Sequence, residues 1–141
     1  MENNSLIIPG LTYKDAKAAM EWLCKAFGFE KKMVVETDDG KIAHAELTCN
    51  GIMIMLGSSD SGSEWSKLIR HPSDIAGFET QSPYIIVDDP DAHYEKAIKH
   101  GARIALDIKA EDYGGKNYSC YDPEGHLWSF GSYNPWKSEQ K

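Results

Sequence analysis

Positive charge is in short supply in this chain. Fifteen Lys and Arg stand against 22 Asp and Glu, a formal net charge of −7 with the histidines neutral. The densest basic cluster, Lys31-Lys32, is only a pair. Such a chain has no stripe with which to neutralise phosphates, which argues against nucleic acid or an anionic membrane as its main partner. Long apolar runs are also missing. None approaches the roughly 18 residues that span a bilayer. The opening Met1-Glu2-Asn3-Asn4-Ser5 has neither the basic nor the apolar region of a signal peptide, so no leader is expected. Cysteine is scarce: Cys24, Cys49 and Cys120 are odd in number and share no CxxC spacing. That points away from a disulfide framework or a structural zinc site and toward reduced thiols in a cytoplasm. What is present is 141 residues, 41% of them hydrophobic, enough for a single domain with its own core.

The punctuation of the chain repeats. Pro9, Asp15, Asp38, Gly40 and Gly51 recur 74 residues later as Pro83, Asp89, Asp112, Gly114 and Gly125. Turn residues are what a duplicated fold retains as its side chains drift, because glycine supplies dihedrals that others cannot. Whole elements follow the same spacing. In the first copy a strand over Leu6–Tyr13 leads to Asp15, an N-cap residue. Ala16, Ala19, Met20, Leu23 and Phe27 then recur at helical spacing, and Gly28 ends the helix. Strands over Lys32–Glu36, Ile42–Cys49 and Ile52–Leu56 follow, parted by Asp38-Asp39-Gly40 and by Asn50-Gly51, a strong hairpin signal. The second copy runs as a strand over Pro83–Val87 and a helix from Pro90 to His100 behind Asp89. Strands over Arg103–Ile108, Lys116–Asp122 and Leu127–Gly131 complete it. Between the copies, Gly57 to Gln81 is polar and aperiodic and holds Trp65, the length of a lid, a ligand loop or a disordered connector. The tail from Asn134 is polar, with Trp136 as a residue able to dock.

Three pieces carry a family resemblance: Tyr13-Lys14-Asp15-Ala16, the helix end Phe27-Gly28-Phe29, and Asp122-Pro123-Glu124-Gly125-His126-Leu127-Trp128. The chain resembles the vicinal oxygen chelate superfamily, which includes glyoxalase I, extradiol dioxygenases and bleomycin-resistance proteins, over roughly residues 5 to 133. The resemblance implies an α+β fold of two tandem βαβββ modules, about 5–57 and about 81–133, joined by a polar loop over about 58–80. The modules would form a cup-shaped mixed sheet with the helices outside and ligand in the cup.

Hairpin geometry sorts the side chains. A two-residue turn at Asn50-Gly51 sets Cys49 opposite Ile52, Thr48 opposite Met53, Glu46 opposite Met55 and His44 opposite Gly57. Opposed residues share a side of the sheet. Ala45, Leu47, Ile52, Ile54 and Leu56 make an aliphatic side that belongs under a helix. His44, Glu46, Thr48, Met53 and Met55 then face the cup. A two-residue turn at Glu124-Gly125 sets Cys120 opposite Ser129, Tyr118 opposite Gly131 and Asp122 opposite Leu127. It sends Ser119, Tyr121, Trp128 and Phe130 to the helix side. The ligand-binding candidates are therefore His44, Glu46, Met53, Met55, Tyr118, Cys120, Leu127 and Ser129.

Metal-dependent relatives, the resemblance implies, bind their ion through His, Gln or Glu on the first and last strands of each module. Those places fall at Ile8, Met55, Ser82 and Ser129 here. An aliphatic group, a thioether and two hydroxyls do not suit a divalent transition metal, so no metal cofactor is expected. His44 and Glu46 stand two apart on one strand face. They could reach a common ion only with a third donor such as Cys120 or His71. They could also act as an acid/base pair. Met53 and Met55 suit a soft wall for a planar ligand, and Tyr118 a stacking ring. The reading is a cytoplasmic, metal-independent protein that sequesters a planar or aromatic compound and forms a homodimer. The rival is a lyase, isomerase or dioxygenase that uses His44 and Glu46.

Overall fold

A computed structural model of the chain describes residues 5–137. The chain divides into two compact units between Phe78 and Glu79. The first contains β1 (Gly10–Tyr13), α1 (Ala16–Phe27), β2 (Glu30–Glu36), β3 (Ile42–Cys49) and β4 (Ile52–Ser58). The second contains β5 (Tyr84–Ile86), α2 (Pro90–Lys99), β6 (Arg103–Ala110), β7 (Lys116–Tyr121) and β8 (Leu127–Gly131). Each unit is thus a βαβββ module, with sheet orders β1-β4-β3-β2 and β5-β8-β7-β6. In both, the first strand pairs with the last in parallel and the other neighbours are antiparallel.

The helices start and stop for local reasons. The Asp15 carboxylate accepts the Ala18 N–H at 3.1 Å, and the Asp89 carboxylate accepts that of Ala92 at 3.1 Å. Each satisfies a donor that the first turn cannot. Gly28 ends α1 in the left-handed region, with φ 81°. Ala16, Ala19, Met20, Leu23, Ala26 and Phe27 are buried along one face of α1. They meet Leu11, Tyr13, Ala45, Leu47, Ile54 and Leu56, the buried aliphatic and aromatic side of the first sheet. Lys31 and Glu36 of β2 reach the same side, where they pair with Glu21 and Lys17 of α1. The opposite side of the sheet carries no helix of this module.

The first strand is shorter than its apolar run predicts. Leu6 and Ile7 are 97% and 82% exposed, and pairing begins only at Gly10. Pro9 has no N–H to donate, so its carbonyl alone reaches the sheet, accepting from Met55 N at 2.9 Å. The Asn50-Gly51 turn is as the sequence predicts. Both residues have positive φ, 49° and 85°, and the resulting register sets Glu46 opposite Met55 and Thr48 opposite Met53.

The last hairpin departs from the prediction. Asp122 N donates to His126 O at 3.0 Å, so the loop is three residues, Pro123-Glu124-Gly125, rather than two. Pro123 fixes the first loop dihedral, Gly125 takes φ 93°, and Asp122 Oδ1 accepts the N–H groups of Glu124 and His126. The extra residue moves every pairing on β7 by one. Cys120 lies opposite Trp128, Ser119 opposite Ser129, and Tyr121 opposite Leu127. A one-residue shift turns each side chain to the other face. Residues on β7 therefore stand one short of the 74-residue spacing that still relates Gly10 to Tyr84 and Met55 to Ser129.

Candidate functional site

The helix-free face of the first module gathers eight of its strand residues into one surface. Val35 lies opposite His44, Met33 opposite Glu46, and Met55 opposite Glu46 on the other flank. Met53 lies opposite Thr48, and Gly10 of β1 completes the row beyond Met55. His44 Nε2 and Glu46 Oε2 are 3.0 Å apart. The pair is only partly screened: His44 is 39% exposed and Glu46 19%. A carboxylate at this distance fixes the ring and favours the tautomer that places a proton on Nε2. The result is one polar pair set among Met33, Val35, Met53 and Met55, with no helix of its own module above it.

Sequence reasoning left Trp65 without a location. It stands in a short 3-10 turn, Trp65–Lys67, within the segment after β4. A Cβ built on Gly10 would meet the Trp65 ring at 3.2 Å. The indole therefore lies against the bare backbone of Gly10, on the strand position next to Met55. Glycine makes that close approach possible. No local pattern announces such a contact, since it joins residues 55 apart in the chain. The next turn, Pro72–Ile75, is capped by His71, whose Nδ1 lies 2.9 Å from the Ser73 hydroxyl and 3.2 Å from the Ser73 amide N. Trp136, a candidate for docking, is instead exposed.

The second module requires a correction. Tyr118 and Cys120 do not share the open face. They lie beneath α2, fully buried. The Tyr118 hydroxyl is 2.6 Å from His93 Nδ1, and its ring packs on Tyr94 and Phe130 at 5.2 and 5.6 Å. Burial pushes the Cys120 thiol up to about 12 and the Tyr118 hydroxyl above its usual range. The three-residue loop is the cause. Trp128 and Phe130 are on the helix side, as expected, and stack at 6.3 Å. Ser119 and Tyr121, expected under the helix, occupy the open face with Leu127 and Ser129. The Ser119 and Ser129 hydroxyls are 2.7 Å apart. The Arg103 guanidinium carbon sits 4.1 Å from the centroid of the Tyr121 ring. The signal that reveals this arrangement is Asp-Pro-Glu-Gly, whose Pro and Gly suit a type I turn closed by a left-handed residue.

The four positions at which the family resemblance implies a metal offer poor donors here. Ile8 precedes β1 and has only an aliphatic side chain. Met55 offers a thioether, Ser129 Oγ is engaged with Ser119, and Ser82 Oγ donates to the Leu127 carbonyl at 3.3 Å. Among the described residues no three His, Cys, Asp or Glu side chains gather in a metal-holding group. The donor set does not fit a divalent transition metal. No helix of the described residues is long and apolar enough to cross a membrane.

Comparison with known proteins agrees with this fold. The signature of the Glyoxalase/Bleomycin resistance protein/Dioxygenase superfamily matches residues 7–130. An uncharacterized protein of Mycobacterium bovis is 30% identical over 123 residues, covering 87% of this chain and 80% of that protein. The crystal structure of TioX from Micromonospora sp. ML1 superposes with a TM-score of 0.72 at 27% identity, over 91% of this chain and 98% of that one. The fosfomycin resistance protein FosX from Listeria monocytogenes, complexed with Mn(II) and sulfate, superposes with a TM-score of 0.68 over 98% of this chain and 97% of that one. At 14% identity that likeness shows the fold alone.

Proposed function

The chain belongs to the Glyoxalase/Bleomycin resistance protein/Dioxygenase superfamily, and from that premise we propose that it is a small-molecule binding protein that works without a transition metal. Its ligand is a planar or aromatic compound held against the helix-free face of the first module. The observation that supports this most is the make-up of that face. Met33, Met53 and Met55 surround a single His44–Glu46 pair, and the Trp65 ring lies beside them. Thioethers adapt to irregular flat surfaces. An indole adds a stacking plane. The His–Glu pair supplies a directed hydrogen bond that orients the bound compound. The protein acts in a reducing cytoplasm, where its three thiols stay free, and as a homodimer, with neither nucleic acid nor membrane as partner.

Two measurements test the reading. Calorimetric titration with a panel of planar aromatic antibiotics and dyes is expected to give saturable binding. Binding by none of them at millimolar concentration overturns it. Elemental analysis of untagged protein is expected to find no stoichiometric transition metal. A near-equimolar content of zinc, nickel, iron or manganese overturns metal independence.

The 3.0 Å contact between His44 and Glu46 favours one second reading. A carboxylate-oriented imidazole on an open face is competent as a general base for lyase or isomerase chemistry. In that case His44→Gln would abolish turnover of the bound compound while leaving its affinity nearly unchanged.

A further inference from the structure

The chain has two arginines. Arg70 spends its guanidinium on the Lys67 and Ile69 carbonyls, at 3.4 and 3.1 Å. Arg103 is placed differently. Its guanidinium lies over the Tyr121 ring, and among the described residues it has neither a hydrogen bond nor a carboxylate within ion-pair distance. In a chain with 22 acidic residues, that isolation is notable. A stacked guanidinium uses a π-face and leaves its in-plane N–H groups free. Those groups form a fixed fork that matches a carboxylate in two-pronged fashion.

The surroundings give the rest of a binding surface. Arg103, Tyr121 and Leu127 lie side by side on β6, β7 and β8. The next row on the same face is Leu106, Ser119 and Ser129. Neighbouring positions of such a grid are about 5 to 7 Å apart. A carboxylate at Arg103 therefore sets an attached ring over Tyr121 and the two leucines. The half-buried Ser129 hydroxyl, backed by the buried Ser119, is then the polar group nearest a ring heteroatom. Leu106 is 67% exposed, an apolar side chain with nothing of its own module upon it.

We infer that the helix-free face of the second module carries a carboxylate-reading subsite, formed by Arg103 on Tyr121, for a planar aromatic acid. The inference goes beyond the proposed binding function: it assigns the second module a binding surface of its own and names the ligand class that this surface takes. Arg103 supplies the charge and the directed donors. Tyr121 holds the guanidinium in place from below and extends the apolar floor.

The test pairs an acid with its neutral isostere: naphthalene-2-carboxylate against naphthalene-2-carboxamide, titrated calorimetrically into the full chain. The acid is expected to bind about tenfold or more tightly than the amide, the scale of a charge-assisted pair. Arg103→Gln should bring the acid down to the affinity of the amide and leave the amide unmoved. Arg103→Lys, which keeps the charge but not the fork, should recover only part of the preference. Thermal melts of both variants should match the parent, since Arg103 is exposed. Equal affinity for acid and amide in the parent overturns the subsite but leaves small-molecule binding standing. A preference that survives in Arg103→Gln also overturns it. Binding of neither probe overturns the subsite, and the broader panel then decides separately whether the binding function stands.

Discussion

Asp122 and Trp128 are joined across the last turn of the second module. The indole Nε1–H donates to Asp122 Oδ2 at 3.1 Å, and both side chains are buried. The other oxygen of the same carboxylate accepts the backbone N–H groups of Glu124 and His126. One side chain therefore sets the length of the loop, the register of β7 against β8, and the seat of the largest core residue. Asp122→Ala removes the acceptor that these three donors share, two of the bonds buried and the third part-buried. It should destabilise the protein by roughly 3 kcal/mol or more, measured by urea unfolding. Trp128→Phe removes only the donor and part of the volume, and should cost about 1–3 kcal/mol. A smaller effect for Asp122→Ala than for Trp128→Phe contradicts this account.

His93 gives the fold a pH dependence. Burial of its ring between α2 and the sheet lowers its pKa from 6.5 to about 4, with Lys96 adding to the effect. The folded state therefore holds the ring neutral where the unfolded chain would take up a proton. The associated stability is complete above pH 6.5, declines as pH falls toward 4, and is constant below that. The slope is at most about 1.4 kcal/mol per pH unit for one proton, reduced by the part of the ring that water reaches. Urea midpoints of the parent and His93→Gln between pH 7 and pH 4 check it. The variant should be less stable at pH 7, where it loses the contact with Tyr118, and the gap should narrow as pH falls. Parallel curves would remove His93 as the source.

Much of this fold is legible in the sequence wherever local chemistry dictates geometry. Asn50-Gly51 admits one tight turn, so the faces of β3 and β4 follow from counting. Asp15 and Asp89 announce their helices for the same reason. The second hairpin is misread because Glu124-Gly125 looks like a complete two-residue loop, while the proline before it lengthens the loop by one. That single residue exchanges Tyr118 and Cys120 for Ser119 and Tyr121. Trp65 over Gly10 and Arg103 over Tyr121 are contacts between strands or segments distant in sequence. Neither periodicity nor turn chemistry encodes them.

Cys120 should behave as an inert thiol. It is fully buried opposite Trp128, and burial pushes its pKa up to about 12, so almost no thiolate exists at neutral pH. Cys24 and Cys49 are only partly covered. Brief alkylation of folded protein with iodoacetamide, read by peptide mass spectrometry, should label Cys24 and Cys49 and spare Cys120. Labelling of all three should appear only in denaturant. Rapid native labelling of Cys120 would mean that the register of β7 differs from the one described.

The homodimer proposal has a surface to account for. β2 is an edge strand, and Met33, Val34 and Val35 along it are exposed in succession. Such an edge invites pairing unless something covers it. Light scattering at micromolar concentration should give a mass about twice the 15.8 kDa of the chain. A mass near 15.8 kDa would rule the dimer out. If β2 is the contact, Val34→Lys should shift the mass toward the monomer without lowering the melting temperature of the monomeric fraction.

At Met55 the proposed ligand binding and the folding of the module should separate cleanly. It lies opposite Glu46 on one flank and beside Gly10 and its covering Trp65 on the other. Met55→Glu sets a second carboxylate directly across from Glu46, and like charges in that relation are unfavourable by up to about 1 kcal/mol. It also removes the adaptable thioether from the centre of the proposed surface. The fold should tolerate the change, since this side of the sheet carries no helix of its module. Affinity for a planar ligand identified in the screen should fall about tenfold or more, while the melting temperature moves by only a few degrees. Met55→Leu, which keeps an apolar side chain of similar size, should bind nearly as the parent does. Trp128→Phe provides the opposite pattern: lower stability with affinity unchanged after correction for the unfolded fraction. If Met55→Glu binds normally while Trp128→Phe loses the ligand at full stability, the ligand is on the helix side of these sheets and the proposed surface is wrong.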